Sequence, residues 1–560
     1  MTNRSIARAL RDTASLLELT GGNPFRARAF SRAARSIRGL DTPVADLLDA
    51  GTLTDVDGIG EGMAQHVADL VTTGSFDLRD DLLNAVPTGL LDVLRIKGLG
   101  TKKVRALWEE LNITSLDDLE RAARAGRITS LSGFGKKTQE KILTNVRLLR
   151  TYDEQRRAAD AHADLQPVLD ALREDLDRVI VTGGLRRNLE TIPHAHLLAT
   201  PVAPDAATEA LADVLEAALA PADDTPAEAA LSGALPSGLP LTVHFAAAEA
   251  FGTALWHTTG SDDHVAQFAE RFGAPDAHPA EADVYAAADL AMVPPELREG
   301  TGELDAAAEK ALPTLLTTSD LHGSLHNHST YSDGAHSLRQ MAEAARERGL
   351  SYFGICDHSQ SLKVASGLPP AAVREQMDEI DALNTAFATE DASFRIFSGI
   401  ESDILADGSL DYEDDLLADF DFVVASVHTG MNMTADEATE RIVRAVENPH
   451  TRILGHPTGR LLLVREGYPL HHERVLDACA AHGVALELNA NPYRLDLDWR
   501  WVRPAIERGI LISINPDAHA IDELDNVKWG VKVARKGWLT PAHCLNAKPL
   551  ADFSDWISNV

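Results

Sequence analysis

The chain has 560 residues, of which 44% are hydrophobic and 24% are charged, and its formal net charge is −33. It is too long for a single hydrophobic core, and about 100–200 residues per domain predicts three or four domains. The composition is that of a soluble globular protein; no apolar run approaches the ~18 residues of a membrane span, and three cysteines are too few for a disulfide framework. We therefore expect a cytoplasmic protein that does not bind membranes.

The negative charge is unevenly distributed. Residues 1–157 contain 24 Lys and Arg against 21 Asp and Glu, whereas the rest of the chain contains 28 against 64. Because acidic surfaces repel phosphate, the acidic part argues against general nucleic-acid binding. Such binding is expected in the near-neutral N-terminal part. The acidity would also fit a high-salt cytoplasm or a proteome rich in Asp and Ala, and composition alone does not separate these explanations.

Three segments of the N-terminal third share a Gly-apolar-Gly sequence that opens a helical pattern: DGIGEG (57–62), KGLGTKK (97–103) and SGFGKK (132–137). The glycines permit a tight turn and expose backbone N–H groups at a helix N-terminus, which binds a phosphate oxygen without reading a base. One such turn would only join two helices, but three copies predict binding to a DNA backbone. The predicted DNA contacts are Gly58, Gly60, Gly98, Gly100, Lys102, Lys103, Gly133, Gly135, Lys136 and Lys137.

These helix–hairpin–helix segments, with the preceding GNPFRARAFSRAARSI (22–37), resemble the N-terminal part of bacterial and archaeal family X DNA polymerases. Such proteins commonly carry a C-terminal PHP (polymerase and histidinol phosphatase) domain, and the resemblance covers essentially the whole chain. It implies DNA as a partner and four domains. These are a helical helix–hairpin–helix domain (1–80), a helical fingers-like domain with two further motifs (81–155), a degenerate palm and thumb (156–315) and a PHP phosphoesterase domain (322–560).

The middle region resembles a polymerase palm without its carboxylates. The family palm carries a Gly-Ser-x-Arg-Arg stretch and three aspartates, which hold two Mg²⁺ ions. Here VTGGLRR (181–187) matches the opening, but the aspartate positions fall on His194, His196 and His244. We therefore predict that polymerase activity is lost; a new histidine metal site is the less favoured alternative. The lysine of the family's lyase reaction is replaced by His66, so that activity is not expected either.

The stretch from Ala199 to Pro240 is rich in alanine, proline and acidic residues. Part of it is predicted to be helical and part to be a flexible loop. A similar composition over residues 275–320 predicts a linker before the C-terminal domain.

From Ser324 onward, short apolar runs alternate with helical patterns. The seven runs are SLHNH, YFGICDH, FRIFSGIE, DFVVASVH, TRILGH, GVALELN and GILISINPDAH. Alternating strands and helices indicate parallel strands with crossover helices. The chain is thus predicted to be multidomain. An α-helical helix–hairpin–helix region is followed by an α+β polymerase-like palm and thumb and by a C-terminal α/β distorted (β/α)₇ PHP barrel.

Nine histidines and carboxylates fall at the predicted C-terminal ends of these strands, where barrels gather their functional groups. One histidine alone would be unremarkable, but the full set predicts a polynuclear metal site. The predicted ligands are His326, His328, Asp333, His358, Glu401, His428, His456, Asp517 and His519. The segments HNHSTYSDG, DHS, GIESDI, SVHTG, GHPTGR and PDAH resemble the successive PHP motifs, which implies up to three divalent ions on this same set. A set of histidines and carboxylates without cysteine favours Mn²⁺, with Zn²⁺ or Fe²⁺ as alternatives.

Clustered metal ions predict phosphoester hydrolysis, because they activate water and neutralise phosphate oxygens. Arg460 is predicted to clamp the phosphate; the alternative is a salt bridge at the barrel rim. The predicted function is a DNA-binding, metal-dependent 3′→5′ exonuclease or a 3′-end-processing or apurinic-site nuclease in DNA repair. A phosphomonoesterase acting on a small metabolite, as histidinol phosphatases do, and a non-catalytic DNA-binding scaffold are the alternatives. The sequence predicts no oligomeric state.

Overall fold

A computed structural model describes residues 1, 3–40, 42–222, 227–390 and 393–558. It divides into two compact units, Met1–Glu154 and Gln155–Val560. The four-domain division predicted from the sequence is finer than this and stays a prediction. No helix in the described ranges is long and apolar enough to cross a bilayer.

The first unit is helical. Its core is formed by the apolar faces of amphipathic helices, as in α8, where Leu119, Ala122 and Ala123 are fully buried and Ser115 caps the N-terminus. The helices are α1 (Asn3–Leu19), α2 (Pro24–Arg38), α3 (Val44–Asp49), α4 (Glu61–Thr73), α5 (Asp77–Ala85), α6 (Gly89–Leu94), α7 (Thr101–Leu111), α8 (Leu116–Arg124) and α9 (Lys136–Asp153).

The second unit begins with an α+β region around a five-stranded mixed sheet. Helix α10 (Ala158–Asp175) buries Leu165, Val168, Leu169 and Leu172 at helical spacing, so that one face packs into the core of this region. The strands are β1 (Arg156–Arg157), β2 (Arg178–Thr182), β3 (Thr191–Ile192), β4 (Ala195–Thr200), β5 (Ala220–Pro221), β6 (Ala229–Ala234) and β7 (Pro240–Phe245). The sheet order is β2-β4-β7-β6-β5, with β4 and β7 parallel and the other pairs antiparallel.

The prediction of helix and flexible loop between Ala199 and Pro240 is only partly right. Helix α12 (Pro204–Ala210) forms there, but the alanine-rich β6 pairs with β7 in an antiparallel register. Sheet pairing thus overrides the helical preference of alanine. Residues 223–226, which the loop prediction also covers, lie outside the described residues.

Helices follow the sheet and pack around Trp256 and Tyr285, both buried. The short helix α11 lies between β2 and β3 in the chain and belongs to the same region. These helices are α11 (Gly183–Arg186), α13 (Phe251–Thr259), α14 (Asp262–Phe272), α15 (Glu281–Ala287) and α16 (Glu303–Ala308).

The C-terminal region is a nearly closed barrel of seven parallel strands in the order β14-β13-β12-β11-β10-β9-β8, as the sequence predicts. The ends of the sheet meet where the N–H of His328 donates to the carbonyl of Ala518 at 2.8 Å. The strands are β8 (Gly323–Ser324), β9 (Tyr352–Ile355), β10 (Arg395–Asp403), β11 (Phe422–Ser426), β12 (Thr451–Leu454), β13 (Ala485–Asn489) and β14 (Ile512–Asn515). The helices are α17 (Leu338–Glu347), α18 (Pro370–Glu390), α19 (Asp414–Leu417), α20 (Ala435–Val446), α21 (His472–His482), α22 (Val502–Glu507), α23 (Val527–Lys536) and α24 (Leu550–Ser558).

The first and last strands are shorter than the sequence predicts. Strand β8 ends at Ser324, so His326 and His328 lie in the backbone that follows it, and Asp517 lies beyond the end of β14. Asp517 and His456 have positive φ angles of 52° and 23°. Non-glycine residues rarely adopt this region, and such conformations concentrate at functional sites.

Candidate metal centre

Glu401 occupies the middle of a cluster at the C-terminal ends of the barrel strands. It lies within β10 and is 1% exposed. Its Oε1 lies 2.9 Å from His456 Nε2, 3.1 Å from His428 Nε2 and 3.4 Å from His326 Nε2. Its Oε2 lies 2.7 Å from His358 Nδ1. One carboxylate thus faces imidazoles from four different strand ends.

The remaining predicted ligands extend this cluster on one side. His328 Nε2 lies 3.1 Å from Asp517 Oδ1. Asp333 Oδ1 lies 3.4 Å from both His358 Nε2 and His519 Nε2. The structure therefore brings all nine side chains to one end of the barrel. Three overlapping groups have ligand atoms close enough to share an ion: His328, Asp333, His358 and His519; His326, His328 and Glu401; and His358, Glu401 and His428.

The unsatisfied atoms of this cluster fit divalent metal ions. Among the described residues, His326 Nε2, His358 Nδ1 and Glu401 Oε2 are buried without a hydrogen bond, although the last two atoms lie only 2.7 Å apart. Leaving such polar atoms unpaired costs about 1–3 kcal/mol each, whereas native structures pair nearly all of them. Imidazole nitrogens and carboxylate oxygens are ligands for transition-type divalent ions, and a bound ion would satisfy these atoms.

Two acidic residues that sequence reasoning missed orient the histidines. Glu487 Oε1 lies 2.7 Å from His326 Nδ1, and Asp403 Oδ1 lies 2.6 Å from His428 Nδ1. Such a contact fixes the tautomer of the ring and leaves the opposite nitrogen, Nε2, directed at the cluster. The sequence does contain a signal for each residue. Glu487 is a carboxylate in the otherwise apolar strand GVALELN, and Asp403 follows Glu401 by two residues, which places it on the same side of β10.

The electrostatics differ sharply between neighbouring rings. Burial raises the pKa of Glu401, but the imidazoles of His428 and His326 outweigh it and hold this pKa well below its usual range. Burial lowers the pKa of His428, yet Glu401 and Asp403 bring it to about 10. Burial lowers the pKa of His328 to about 3, with His519 adding to the effect. Because metal ligands must be deprotonated, metal binding to this set would release protons.

The guanidinium of Arg460 is already engaged in hydrogen bonds to other residues of the protein. Its Nη1 donates to Asp498 Oδ2 at 2.9 Å, its Nη2 to Glu190 Oε1 at 3.2 Å and to the carbonyl of Leu495, and its Nε to the carbonyl of Arg494 at 3.1 Å. These contacts match the rim salt bridge that we considered as the alternative. The phosphate-clamp role stays a prediction.

In the first unit, all three Gly-apolar-Gly segments form turns at helix N-termini. Gly60, Gly100 and Gly135 are the N-cap residues of α4, α7 and α9. Each turn also contains a glycine with positive φ: Gly58 at 79°, Gly98 at 88° and Gly133 at 84°. Positions 60, 98, 100, 133 and 135 face open space, where a Cβ would meet no atom within 4 Å, so a phosphate could approach the backbone closely.

The three hairpins differ in charge. Lys102, Lys136 and Lys137 are exposed beside the second and third turns. The first turn instead carries Asp57, whose Oδ1 accepts a hydrogen bond from Arg32 Nη2 at 2.7 Å. Anions are thus favoured at the second and third hairpins more than at the first.

The three histidines at the positions expected for the palm's aspartates lie close together, with His194 directly before β4. His196 on β4 and His244 on the parallel neighbour β7 are joined by a 3.2 Å contact between Nδ1 and Nε2. The rings of His194 and His196 stack with centroids 4.3 Å apart. Burial lowers the pKa of His196 to about 3 and that of His244 to about 4, so both rings are neutral near pH 7. Neutral imidazoles that contact one another lack the negative charge that holds Mg²⁺.

The two consecutive arginines of the palm region, Arg186 and Arg187, both form ion pairs with glutamates. Arg186 makes a two-pronged contact with Glu281, with Nη1–Oε1 and Nη2–Oε2 both 2.7 Å, and Arg187 Nε donates to Glu299 Oε1 at 2.7 Å. His66, at the position expected for the lyase lysine, packs against Phe30 and Phe76, with ring centroids 5.5 and 4.5 Å away, and these two rings also contact each other at 5.8 Å. These contacts are structural rather than catalytic in kind.

The domains match known families. Residues 1–76 match a helix-hairpin-helix domain, residues 90–147 a SAM-like helix-hairpin-helix tandem and residues 324–491 the PHP domain. Seven of the nine predicted ligands lie within the PHP match, and Asp517 and His519 follow it; the PHP domain is a class of metal-dependent hydrolases.

Similar proteins extend this assignment to the whole chain. The chain is 35% identical over 575 aligned positions to the "DNA polymerase/3'-5' exonuclease PolX" of Bacillus subtilis (strain 168), covering 99% of this chain and 98% of that protein. It is also 25% identical to a "Probable phosphatase" of Thermoanaerobacter sp. (strain X514), over 40% of this chain and 88% of that protein. A "Probable phosphatase" of Syntrophotalea carbinolica is 32% identical over 30% of this chain and 65% of that protein. The chain belongs to the PolX family, the family X DNA polymerases that carry a PHP domain.

Proposed function

We propose that this protein binds DNA through its helix–hairpin–helix turns and hydrolyses phosphodiester bonds at DNA 3′ ends in its PHP barrel. The observation that carries the proposal is the convergence of imidazoles on Glu401, with buried ligand atoms that lack hydrogen-bond partners among the described residues. The attached DNA-binding turns and the 3'-5' exonuclease in the name of the Bacillus subtilis relative favour DNA as the substrate.

The nine predicted ligands would hold up to three divalent ions, with Mn²⁺ favoured over Zn²⁺ or Fe²⁺ by the mixture of imidazole and carboxylate. Bound there, such ions supply activated water at neutral pH and neutralise charge on the phosphate and on the leaving 3′ oxygen. Glu401 is a member of two of the three overlapping groups and is the residue proposed to connect them. Glu487 and Asp403 keep the rings of His326 and His428 oriented, so the site is arranged before substrate arrives.

The test is cleavage of a 5′-labelled single strand and a 5′-labelled duplex by the purified full-length protein with Mn²⁺. We expect products one nucleotide shorter at each step, loss of cleavage in EDTA, and at least about 100-fold slower cleavage by Glu401→Gln. A matched control is Glu440→Gln, an exposed acid of α20. Cleavage by Glu401→Gln at the wild-type rate would overturn the proposal.

A small-metabolite phosphatase is the second candidate, because the barrel alone is similar to proteins named as probable phosphatases. A small substrate has no need of a DNA-backbone clamp, which favours DNA. A comparison of hydrolysis rates distinguishes the two candidates. Faster hydrolysis of histidinol phosphate or a nucleoside monophosphate than of DNA, at equal concentration, would favour the metabolite.

We also propose that the palm no longer polymerises, on the support of the histidines at its three expected aspartate positions. Degradation of the primer could hide synthesis, so the assay uses Glu401→Gln with a primed template, all four nucleotides and Mg²⁺ or Mn²⁺. We expect no extension beyond that of a heat-inactivated sample. Templated extension to the end of the strand would refute the proposal.

A further inference from the structure

Arg494 stands beside the metal centre on a segment that sequence reasoning passed over, NPYRLD (491–496). Its Nε lies 3.4 Å from Asp517 Oδ2, and its side chain is 18% exposed. Its Nη1 is buried and, among the described residues, has no hydrogen-bond partner. A guanidinium that is desolvated but incompletely paired is costly to keep unless a ligand completes its hydrogen bonds.

The surroundings of Arg494 show why Asp517 is an incomplete partner. The Oδ2 that faces Arg494 already accepts a hydrogen bond from Asn489 Nδ2 at 2.9 Å, and Oδ1 lies 3.1 Å from His328 Nε2. The carboxylate is therefore shared with a predicted metal ligand and with an amide. Arg494 therefore keeps an unpaired Nη1 while its Nε lies beside Asp517, one of the nine converging side chains.

The backbone that carries Arg494 is held rigidly. Arg460 donates to the carbonyls of Arg494 and Leu495, and Leu495 has a positive φ of 44°. The guanidinium of Arg157 lies 3.8 Å from the ring centroid of Tyr493, directly before Arg494. Because the backbone is fixed in this way, the Arg494 side chain starts from a defined position, which favours binding of a ligand.

We propose that Arg494 binds a phosphate oxygen of the substrate at the metal centre, and that Arg460 positions Arg494 rather than contacting the phosphate itself. The inference rests on the proposed phosphoesterase function and adds the residue that recognises its substrate. Arginine suits this role because its planar fork donates two parallel hydrogen bonds to a phosphate, which lysine does not reproduce.

The test compares full-length wild type, Arg494→Gln and Arg494→Lys with a control, Arg474→Gln, which removes an exposed arginine of α21. Three properties are measured: metal content by mass spectrometry, KM and kcat for 3′-labelled DNA, and the melting temperature with and without inorganic phosphate. We expect Arg494→Gln to keep its metal, to raise KM about 10–100-fold, and to lose the phosphate-induced rise in melting temperature that wild type shows. Arg494→Lys should recover only part of the KM effect, and Arg474→Gln should match wild type.

The outcomes separate this inference from the proposed function. If wild type does not cleave DNA, the proposed function fails. If wild type cleaves and Arg494→Gln has an unchanged KM and an unchanged response to phosphate, the assignment of Arg494 fails while the function stands. If Arg494→Gln loses its metal, Arg494 supports the ligand Asp517 instead of binding phosphate, and the assignment is overturned as well.

Discussion

The backbone N–H of His456 donates to Glu487 Oε2 at 2.7 Å, while the other oxygen of Glu487 contacts His326 Nδ1 at the same distance. One buried carboxylate thus fixes two predicted ligands, one by its ring and one by its main chain. His456 has a φ of 23°, and a residue other than glycine adopts such an angle only when its surroundings impose it. Glu487 is one such constraint.

The first prediction concerns Glu487→Gln. A glutamine has one acceptor oxygen and a donor NH₂, so it cannot accept from both His326 and the N–H of His456. We expect Mn²⁺ affinity to fall about 10–100-fold and the free energy of unfolding to fall by about 1–3 kcal/mol. Titration of metal-free protein with Mn²⁺ and chemical denaturation measure the two effects.

Saturating Mn²⁺ should restore most of the cleavage by Glu487→Gln, because the substitution leaves all nine predicted ligands in place. Glu466→Gln, at an exposed site outside the cluster, serves as the control. Unchanged metal affinity in Glu487→Gln would show that the contact to His326 does not orient that ring.

The sequence predicts the parts of this site that follow from periodicity. All seven barrel strands form where short apolar runs occur, and the end of each strand in a parallel barrel places its next polar residue at one rim. His358, Glu401 and His428 could therefore be placed together without a structure. The three hairpin turns were equally accessible, since a glycine pair before a helical pattern fixes both the turn and the helix start.

Other parts depend on contacts between distant segments. Glu487 is 161 residues away from His326, whose ring it orients, and no local pattern marks the direction of its side chain. The guanidinium of Arg460 pairs with Glu190, 270 residues away. Strand β6 shows the same limit, because its alanines take extended backbone only through their pairing with β7.

The second prediction concerns DNA binding at the third hairpin. In Lys136→Ala/Lys137→Ala we expect weaker binding to all DNA sequences alike, since these lysines are placed to contact phosphate rather than bases. The slope of log K against log salt should become shallower by about 0.9 for each phosphate that the variant no longer neutralises. Fluorescence anisotropy at several salt concentrations, with EDTA to prevent cleavage, measures both quantities.

Lys141→Ala on the same helix is the matched control, because Lys141 is also exposed but lies beyond the first turn of α9. An identical fall in affinity in Lys141→Ala would indicate general electrostatic attraction and would contradict a specific contact at the hairpin. Loss of sequence preference instead of affinity would contradict backbone binding.

The third prediction concerns acid stability of the palm. Burial lowers the pKa of His244 to about 4, below the value of about 6.5 expected in the unfolded chain. As the pH falls below about 6.5, the unfolded chain takes up a proton that the folded protein does not, so stability is lost until about pH 4. At pH 5 this one residue should remove about 2 kcal/mol relative to pH 7.5.

The measurement is urea denaturation of metal-free wild type and His244→Asn between pH 7.5 and pH 5. We expect the variant to lose less stability over this range than wild type, whatever its stability at pH 7.5. Parallel stability curves would contradict the assignment of a neutral, buried imidazole at position 244.

The fourth prediction concerns the structural role of the palm region. Glu190 lies directly before β3 in the palm, is 8% exposed, and its Oε1 lies 3.2 Å from Arg460 Nη2. Through Arg460 it supports the backbone of Leu495, next to the centre's Arg494. In Glu190→Gln we expect stability to fall by about 1–3 kcal/mol, because a buried guanidinium loses a charged partner, and we expect the KM for DNA to rise several-fold with metal content unchanged.

Glu209→Gln, an exposed acid on α12 of the same palm, is the control and should match wild type in melting temperature and cleavage. Arg460→Lys is the stronger companion variant, since lysine keeps the charge but cannot reach Glu190, Asp498 and two carbonyls with one planar fork. A Glu190→Gln protein that is less stable yet keeps the wild-type KM would show that the palm stabilises the fold without supporting the catalytic end of the barrel. A raised KM in both variants, with full metal content, is the result expected if the palm region supports the proposed nuclease site.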